Sequence, residues 1–407
     1  MFSLGKKQNY TCFFDIGNSK IVCIVLHKES GHQRIVGVGH KKSKGLFRNK
    51  IINREILSEE ISKVYKIALS NVDSNCLREI YCNITDSNLV TKKYFSDIQV
   101  GNFGISKKTV REIYKKNISN NNLKSKRVIH SFPRSFYIDN KKIVDNPIGI
   151  KTKKLGFSSY NILVEKDLHK SFYNIFEEKK IFVDDFFESG VASSFGNLTN
   201  DEKKSGSVLI DIGYYSSKVV VFLNNEIIYV GNISLGGQDV TNDISKGLDI
   251  PEESAEFVKV IHGNLDYSIN ESVKIVLNPQ KVKKISNNLL FGIIKPRYEE
   301  ILEIVRDNLF DSLHARMGIN KIVLTGGASK IFGLEGLSMK LFNRKSRIGS
   351  IKNSNNFFHN KPEFSTLLGM IELSQDKNRF DFHKYLRKNR ISGVVDKIET
   401  WIEDSYA

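Results

Sequence analysis

The chain has 407 residues, more than one ordinary hydrophobic core accommodates, so two or more subdomains are expected. Hydrophobic residues make up 40% of it and charged residues 26%, a globular composition that excludes a chain disordered over most of its length. Lys and Arg outnumber Asp and Glu by 62 to 45, and the formal charge of +17 favours an anionic partner. Because the lysines are spread in small groups and no aromatic-basic motif accompanies them, we interpret most of them as solvated surface and expect no nucleic-acid partner.

The cysteines and the N-terminus bear on the compartment. Cys12, Cys23, Cys76 and Cys82 have no CxxC or Cys/His metal spacing, and we expect them to be reduced, buried thiols. The first ten residues lack the apolar core of a signal peptide, and no run of about 18 apolar residues occurs. These features predict a cytosolic protein that does not span a membrane.

In the first half of the chain, apolar runs predict strands and periodic segments predict helices. The segment "TCFFDIGNSKIVCIVL", 11–26, has two apolar runs around a polar turn and predicts a buried hairpin. A strand is expected at 33–39 and a helix at 53–70, with Ser58 as the start signal of that helix. Short strands with one helix near 106–118 are expected between 80 and 164, and another helix at about 167–180.

The second half contains hairpins followed by helices. The stretch 205–237 has turns after Asp211 and at Asn224-Asn225, a dipeptide that tolerates left-handed backbone. A helical region is expected from 238 to 317, with a strand-like insert near 265–280. The segment "KIVLTGGASKIFGLEG", 321–336, predicts a strand, a glycine turn and the start of a helix.

Two segments resemble each other. Both "CFFDIGNSKIVCIVL" and "VLIDIGYYSSKVVVF" have an apolar strand ending in Asp-Ile-Gly, a polar turn with serine, a lysine and a second apolar strand. Asp15 and Asp211 lie 196 residues apart, about the length of a domain. This similarity predicts an internal duplication, with one hairpin of the phosphate-binding type in each half.

The hairpins carry the groups that a nucleotide needs. Phosphates require inward backbone N–H groups and hydroxyls, and hydrated Mg²⁺ requires carboxylates such as Asp15 and Asp211. One such hairpin is explained as well by a buried hairpin with a polar turn. Two hairpins followed by the Gly326-Gly327 turn, which would border the nucleoside, favour a nucleotide site.

The order of these elements resembles the actin/sugar-kinase/heat-shock-chaperone ATPase superfamily, and within it the FtsA family of bacterial cell-division proteins. The FtsA-like stretches are "RVIHSFPRSFYIDNKKIVDNPIGI", "SLGGQDVTNDISKGLDIPEESAEFVKVIHG", "IIKPRYEEILEIVRDNL" and "IVLTGGASKIFGLEGL". The resemblance implies an α/β, actin-like two-lobed fold with duplicated ribonuclease-H-like sheets, a relocated subdomain and a C-terminal amphipathic helix. It divides the chain into a first lobe (1–84, 166–200 and 361–375), an inserted subdomain (85–165), a second-lobe core (201–245 and 318–360), a helical subdomain (246–317), a linker (376–390) and a terminal helix (391–407).

The resemblance also implies a site for ATP, with Mg²⁺ held through water by Asp15 and Asp211. The implied nucleotide-binding residues are Asp15, Gly17, Asn18, Ser19, Lys20, Asp211, Gly213, Ser216, Ser217, Gly236, Gly237, Glu256, Lys259, Gly326, Gly327 and Ala328. Glu256 and Lys259 have an alternative as an i, i+3 surface pair, and Gly236-Gly237 could simply turn the chain. No catalytic residue is assigned, and at most a weak ATPase activity is expected.

The second loop departs from the family pattern. Where the family usually has Asp-x-Gly-Gly-Gly-Thr-Thr-Asp, this chain has Tyr214 and Tyr215 in place of two glycines and Lys218 in place of the last acid. Each tyrosine adds a Cβ that disfavours positive φ. Either the rings point outward and ATP still binds, or the loop is closed and no nucleotide binds.

The last 17 residues carry an apolar stripe at helical spacing. Its members are Ile391, Val394, Val395, Ile398, Trp401 and Ile402. The FtsA-like proteins end in a helix that lies on the membrane surface, so the stripe is expected to be a membrane tether. The polar face is acidic, which anionic lipid disfavours, although a basic run at 383–390 partly compensates. The alternative is a helix docked on its own domain.

The function implied by the resemblance is a division scaffold. Such a protein self-associates into filaments and holds the tubulin-like division-ring protein FtsZ to the inner-membrane lipid surface, together with other divisome membrane proteins. It would be peripheral, on the cytoplasmic face of the inner membrane at the division site. The rival functions are a small-molecule kinase of the same superfamily and an actin-like scaffold of pilus assembly.

Overall fold

The computed structural model describes residues 9–29, 32–73, 76–101, 104–119, 125–266, 272–278, 281–312, 318–349 and 361–375. The predicted linker 376–390 and the predicted terminal helix 391–407 lie outside these described residues. Within the described ranges, no helix is long and apolar enough to cross a membrane.

Strands and helices alternate along the chain. The strands are β1 (Tyr10–Ile16), β2 (Lys20–Glu29), β3 (His32–Lys42), β4 (Leu46–Phe47), β5 (Lys50–Ile51), β6 (Leu77–Ile84), β7 (Val90–Gln99), β8 (Lys126–Ile138), β9 (Lys142–Val144), β10 (Lys154–Glu165), β11 (Asp185–Glu188), β12 (Ser207–Ile212), β13 (Ser217–Leu223), β14 (Glu226–Ile233), β15 (Ser272–Asn278), β16 (Lys281–Ser286), β17 (Lys321–Thr325) and β18 (Lys345–Ile348). The helices are α1 (Arg54–Ala68), α2 (Lys107–Ser119), α3 (Lys166–Glu178), α4 (Ser189–Asn197), α5 (Asn200–Ser205), α6 (Gly237–Leu248), α7 (Glu252–His262), α8 (Asn287–Ser312), α9 (Leu334–Phe342) and α10 (Ser365–Gln375).

Two five-stranded sheets have the same topology. The first lobe has the strand order β11-β6-β1-β2-β3, and the second lobe has the order β18-β17-β12-β13-β14. In each sheet a central strand, β1 or β12, pairs antiparallel with the next strand along the chain and parallel with a later one. The shared order confirms the duplicated fold that the two Asp-Ile-Gly hairpins predict.

Helices α4 and α10 lie between the two sheets. The core that they share with the first sheet also contains Leu209, Val220 and Val323, which lie on one face of the second sheet. The opposite face of the second sheet packs in a separate core with α6, α8 and α9. The two lobes are therefore joined at their base by one continuous apolar layer.

A third sheet, with the order β7-β10-β8-β9, forms the inserted subdomain. Helix α2 covers one of its faces and gives it a core of its own, which includes Ile113, Phe136 and Phe157. The subdomain contacts the second lobe through Arg134, which forms an ion pair with Glu226 at 3.0 Å.

Most predicted elements are present, with three differences. Helix α1 does not begin with a signal from Ser58: Asn53 caps it by accepting a hydrogen bond from the backbone N–H of Ile56 at 2.9 Å, and Ser58 lies inside the helix. The strands expected to be short between 80 and 164 are long, since β8 has 13 residues and β10 has 12. The insert expected near 265–280 is the hairpin of β15 and β16, which begins and ends later.

The structure also describes the predicted Asn224-Asn225 turn and the four cysteines. The Asn224-Asn225 turn is confirmed, because both residues have a positive φ, 52° and 64°. Three of the four cysteines are buried thiols as expected, whereas Cys76 is only partly buried.

The contact between α4 and α10 requires glycine, and this generates a test of the fold. A Cβ added at Gly369 would lie 1.6 Å from the carbonyl oxygen of Ala192, so Gly369→Ala should push the helices apart and lower the free energy of unfolding by about 1–3 kcal/mol. The matched control is Gly336→Ala in α9, where an added Cβ meets nothing within 4 Å. It should leave the free energy of unfolding unchanged or raise it by up to about 1 kcal/mol. Urea denaturation measures both, and equal midpoints for the two variants would contradict the packing described.

Candidate functional site: a cleft between two acid hairpins

Each lobe presents an Asp-Ile-Gly turn of the same shape. The two strand pairs that contain these turns, β1-β2 with Asp15 and β12-β13 with Asp211, are called the acid hairpins below. In the first, the backbone N–H of Gly17 donates to the carbonyl oxygen of Lys20 at 2.9 Å. In the second, the N–H of Gly213 donates to the carbonyl oxygen of Ser216 at 3.0 Å. The turns join β1 to β2 and β12 to β13, so each aspartate stands at the end of a central strand.

A cleft of about 270 Å³ separates the two turns. Most of the predicted nucleotide residues line it: Asp15, Gly17, Asn18, Ser19, Lys20, Asp211, Gly213, Gly237, Glu256, Lys259, Gly326, Gly327 and Ala328. Residues from the N-terminal, middle and C-terminal parts of the chain thus meet at one place. A cleft with carboxylates, ammonium groups and glycine-rich turns is suited to a polyphosphate ligand.

Three predicted residues do not line the cleft. The hydroxyl of Ser217 donates to the carbonyl oxygen of Leu235 at 2.8 Å, and that of Ser216 accepts from the side-chain amide of Asn49 at 3.2 Å. Gly236 lies behind the second turn, where an added Cβ would be 2.7 Å from the carbonyl oxygen of Gly213. These three residues support the second turn instead of lining the cleft.

The two tyrosines of the second loop are accommodated without left-handed backbone. Neither Tyr214 nor Tyr215 is among the described residues with positive φ, so the expected backbone penalty does not arise. Tyr214 lines the cleft. The Tyr215 ring instead packs edge-on against Phe47, with ring centroids 5.1 Å apart. Tyr214 is therefore part of the cleft wall, whereas Tyr215 is not and its ring packs on Phe47.

Asp15 is a buried carboxylate with an unusual pKa. Burial raises the pKa to about 6, partly offset by the positive charges of Lys20 and Lys218, while the negative charge of Asp211 raises it further. The carboxylate accepts a hydrogen bond from the side-chain amide of Asn83 at 2.9 Å. A carboxylate in this state would gain from a cation placed beside it.

Asp211 is held from both sides. Its carboxylate accepts a hydrogen bond from the hydroxyl of Ser193 at 2.5 Å. Gly326, at φ +89°, passes so close that an added Cβ would lie 2.4 Å from the Asp211 carboxylate. The glycine is required here by its φ and by the close approach.

Lys20 and Lys259 bring positive charge to the cleft. The Lys20 ammonium lies 3.6 Å from the centroid of the Phe364 ring, and burial lowers its pKa. The Lys259 ammonium donates to Glu256 at 2.6 Å, to the hydroxyl of Thr241 at 2.8 Å and to the carbonyl oxygen of Gly237 at 2.9 Å. The i, i+3 pair considered as an alternative is therefore present, and the same pair lines the cleft.

The glycine turn after β17 forms another wall. The hydroxyl of Ser329 donates to the carbonyl oxygen of Gly326 at 2.8 Å, and the hydroxyl of Tyr298 donates to that of Ala328 at 2.8 Å. An added Cβ at Gly327 would meet only the Cβ of Glu363, at 3.8 Å, so the backbone is open toward the cleft. This open backbone leaves room for the adenine or ribose of a nucleoside to lie against it.

Sequence reasoning missed part of the lining. The residues not predicted are Tyr214, Val260, Pro362, Glu363, Ser365 and Thr366. Four of them belong to the segment before and within α10, which has no glycine motif. Their place in the cleft follows from the packing of α10 between the sheets, so no local sequence signal could have identified them.

The protein alone does not form a metal centre in the described ranges, where no three His, Cys, Asp or Glu side chains are grouped to hold an ion. The oxygen donors of Asp15 and Asp211 are of the type that Mg²⁺ prefers. Two carboxylates fit an ion that brings its remaining ligands as water and phosphate oxygens, and they do not fit one bound by protein groups only.

Two family models match the chain. The model described as cell division protein FtsA matches residues 208–369, and the model described as the SHS2 domain inserted in FtsA matches residues 91–163. The second match falls on the inserted sheet, and together the matches cover more than half of the chain. The cell division protein FtsA of Agrobacterium fabrum is 24% identical over 426 residues, which take in 98% of this chain and 96% of the relative.

Solved structures share the fold. The PilM-PilN type IV pilus biogenesis complex has a TM-score of 0.63 at 13% identity, with 89% of this chain and 98% of that chain covered. MreB5 of Spiroplasma citri bound to ADP has a TM-score of 0.58 at 14% identity, with 95% and 100% covered. At these identities the likeness concerns the fold alone, and it confirms the predicted actin-like architecture. Since two family models, both of FtsA, together match more than half of the chain, the chain belongs to the FtsA family of cell division proteins.

Proposed function

We propose that this protein is an actin-like cell-division scaffold that binds ATP with Mg²⁺ in the cleft between its two acid hairpins. It self-associates into filaments and tethers the tubulin-like division-ring protein FtsZ to the cytoplasmic face of the inner membrane, where it recruits other divisome membrane proteins. The proposal that ATP binds in the cleft is supported by one observation: both Asp-Ile-Gly turns, two lysines and a glycine turn converge there.

Each part of the nucleotide has a matching part of the cleft. The turns at Gly17 and Gly213 and the ammonium of Lys20 meet the phosphates, and the Gly326-Gly327 turn borders the nucleoside. Asp15 and Asp211 meet the hydrated Mg²⁺, whose positive charge offsets the cost of burying them. When it is bound, the ion supplies positive charge that offsets the negative charge of the phosphates.

The nucleotide acts mainly as a conformational ligand in this proposal. Tyr214 stands where the family has glycine, and no side chain is assigned as a catalytic base, so hydrolysis is at most weak. A ligand that contacts both lobes shifts their equilibrium by the difference between its affinities for the open and closed arrangements. ATP would in this way hold the protein in the closed form that assembles.

The partner and membrane assignments rest on family membership and on the sequence. The inserted subdomain, proposed at 85–165, mediates self-association and divisome contacts. The terminal stripe that includes Ile398 and Trp401 lies in the lipid surface, and filaments multiply a weak attachment per molecule. The other subdomain bounds given by the sequence remain predictions.

Two rival functions have discriminating tests. A small-molecule kinase would have to show turnover when sugars and acids are offered with ATP. A pilus scaffold is favoured by the PilM-PilN fold likeness but not by the family models, which are both of FtsA. Depletion in the source cell separates these functions: undivided filamentous cells support division, and normal division with loss of pili would contradict it.

Removing the cation of the first turn tests the nucleotide site. Lys20→Met keeps the apolar stem but removes the charge that faces the phosphates, and Mg-ATP affinity should fall about 10- to 100-fold because a hydrogen bond between charged groups contributes about 1.5–3 kcal/mol. Calorimetry on the purified full chain measures this. The matched control is Lys340→Met, an exposed lysine on α9, which should bind like the parent protein. No binding by the parent protein at millimolar ATP, or equal binding by Lys20→Met, would contradict the site.

Charging the apolar stripe tests the membrane tether. Trp401→Glu should reduce flotation of the full chain with anionic vesicles at least about tenfold, because a buried ring is replaced by a charge that the lipid surface rejects. Glu399→Gln, on the acidic face of the predicted helix, is the control and should bind at least as well as the parent protein. If the parent protein fails to float, or if Trp401→Glu floats equally well, the stripe has another role.

A further inference from the structure

A short hairpin of the first lobe reaches the second lobe. It consists of β4 and β5, joined by Arg48 and Asn49, which both have positive φ, 46° and 64°. A turn with two residues of this kind is tight and projects its side chains from a narrow tip. The tip residues contact the second acid hairpin and the start of α6.

Arg48 forms the polar part of this contact. One guanidinium nitrogen donates to the Asp239 carboxylate at 2.9 Å, and another donates to the carbonyl oxygen of Ser234 at 3.2 Å. The second oxygen of Asp239 accepts from the backbone N–H of Gly236 at 2.9 Å, so the same carboxylate also caps α6. The ion pair therefore links the first lobe to a fixed point of the second.

Asn49 connects the two acid hairpins directly. Its backbone N–H donates to the side-chain oxygen of Asn18, in the first turn, at 3.0 Å. Its side-chain amide donates to the hydroxyl of Ser216, in the second turn, at 3.2 Å. One residue thus bridges the turns on either side of the cleft.

Tyr215 supplies the apolar part. Its ring centroid lies 5.1 Å from that of Phe47 and 4.7 Å from that of Tyr214, and the Arg48 guanidinium lies 5.3 Å from it. Phe47 is 48% exposed, so the cluster stands at the rim and not in the core. A glycine at position 215 would have no ring to make these contacts.

We propose that Phe47, Arg48, Asn49 and Tyr215 form an interlobe clasp that holds the two lobes together over the cleft before any ligand binds. The base of the lobes is joined through α4 and α10, so a second connection at the rim restrains rotation about that base. The clasp makes the closed arrangement the resting state, and ligand exchange requires that it open. The role of the clasp in nucleotide exchange rests on the proposed nucleotide function. Its role in holding the lobes of the empty protein closed does not.

The test measures lobe separation without nucleotide. Spin labels are placed at Lys66→Cys on α1 and Lys246→Cys on α6, both exposed and one on each lobe, in the full chain with Cys76→Ser. Electron–electron double resonance should give one narrow distance for the unmodified clasp and a longer, broader distribution for Tyr215→Ala and, separately, for Arg48→Ala. Arg48 is a surface side chain, so its variant keeps the test valid if Tyr215→Ala does not fold.

The control is Phe182→Ala, which truncates an exposed aromatic residue away from the clasp and should leave the narrow distance unchanged. A broad distribution in the empty unmodified protein, equal to that of the clasp variants, would overturn the proposal.

A second readout separates this proposal from the nucleotide assignment. Dissociation of a fluorescent ATP analogue, followed by stopped flow, should be at least about tenfold faster for either clasp variant, since the open arrangement becomes more populated. Unchanged dissociation would overturn the role in exchange. If no protein binds the analogue but the distances change as expected, the clasp stands and the proposed nucleotide function fails.

Discussion

Two buried carboxylates that share one cleft are the constraint on which the rest of the structure depends. Asp15 and Asp211 come from separate sheets, and the charge of Asp211 adds to the burial that raises the pKa of Asp15. Such groups reduce stability unless something positive lies beside them. Around them, Lys20 and Lys218 supply part of the charge, and Gly326 leaves the space for Asp211. The surroundings of the site thus follow from burying the carboxylates of Asp15 and Asp211 in one cleft.

Much of the fold could be predicted from residues that act locally. The Asp-Ile-Gly turns, the Asn224-Asn225 turn and the glycine turn at Gly326 each require a particular backbone conformation. Such a conformation restricts which residue types occur at those positions, so the sequence indicates it. The similarity of the segments around Asp15 and Asp211 predicted an internal duplication, and the two sheets of the same topology confirm it. The prediction that Ser58 marks the start of α1 was wrong, because serine occurs inside helices as well as at their starts. Asn53 caps the helix instead.

Contacts between distant segments were not predictable in the same way. Glu363 and Thr366 enter the cleft because α10 packs between the sheets, and Arg48 meets Asp239 because the lobes are joined at their base. The tyrosines of the second loop illustrate the limit most clearly. The sequence left open whether Tyr214 and Tyr215 would close the cleft, because the answer depends on the φ of each residue and on the position of Phe47.

The most direct test of the central claim is the stability of Asp15→Asn as a function of pH. Because the pKa of Asp15 is raised to about 6 in the folded protein, the charged form costs stability above that pH, and the cost disappears as pH falls toward 4. At pH 7.5 the variant should exceed the parent protein by up to about 3 kcal/mol, the excess should shrink on acidification, and Mg-ATP should stabilise the parent protein more. Equal stability of the two proteins at every pH would mean that Asp15 is not held charged at a cost, and would contradict the account of the cleft.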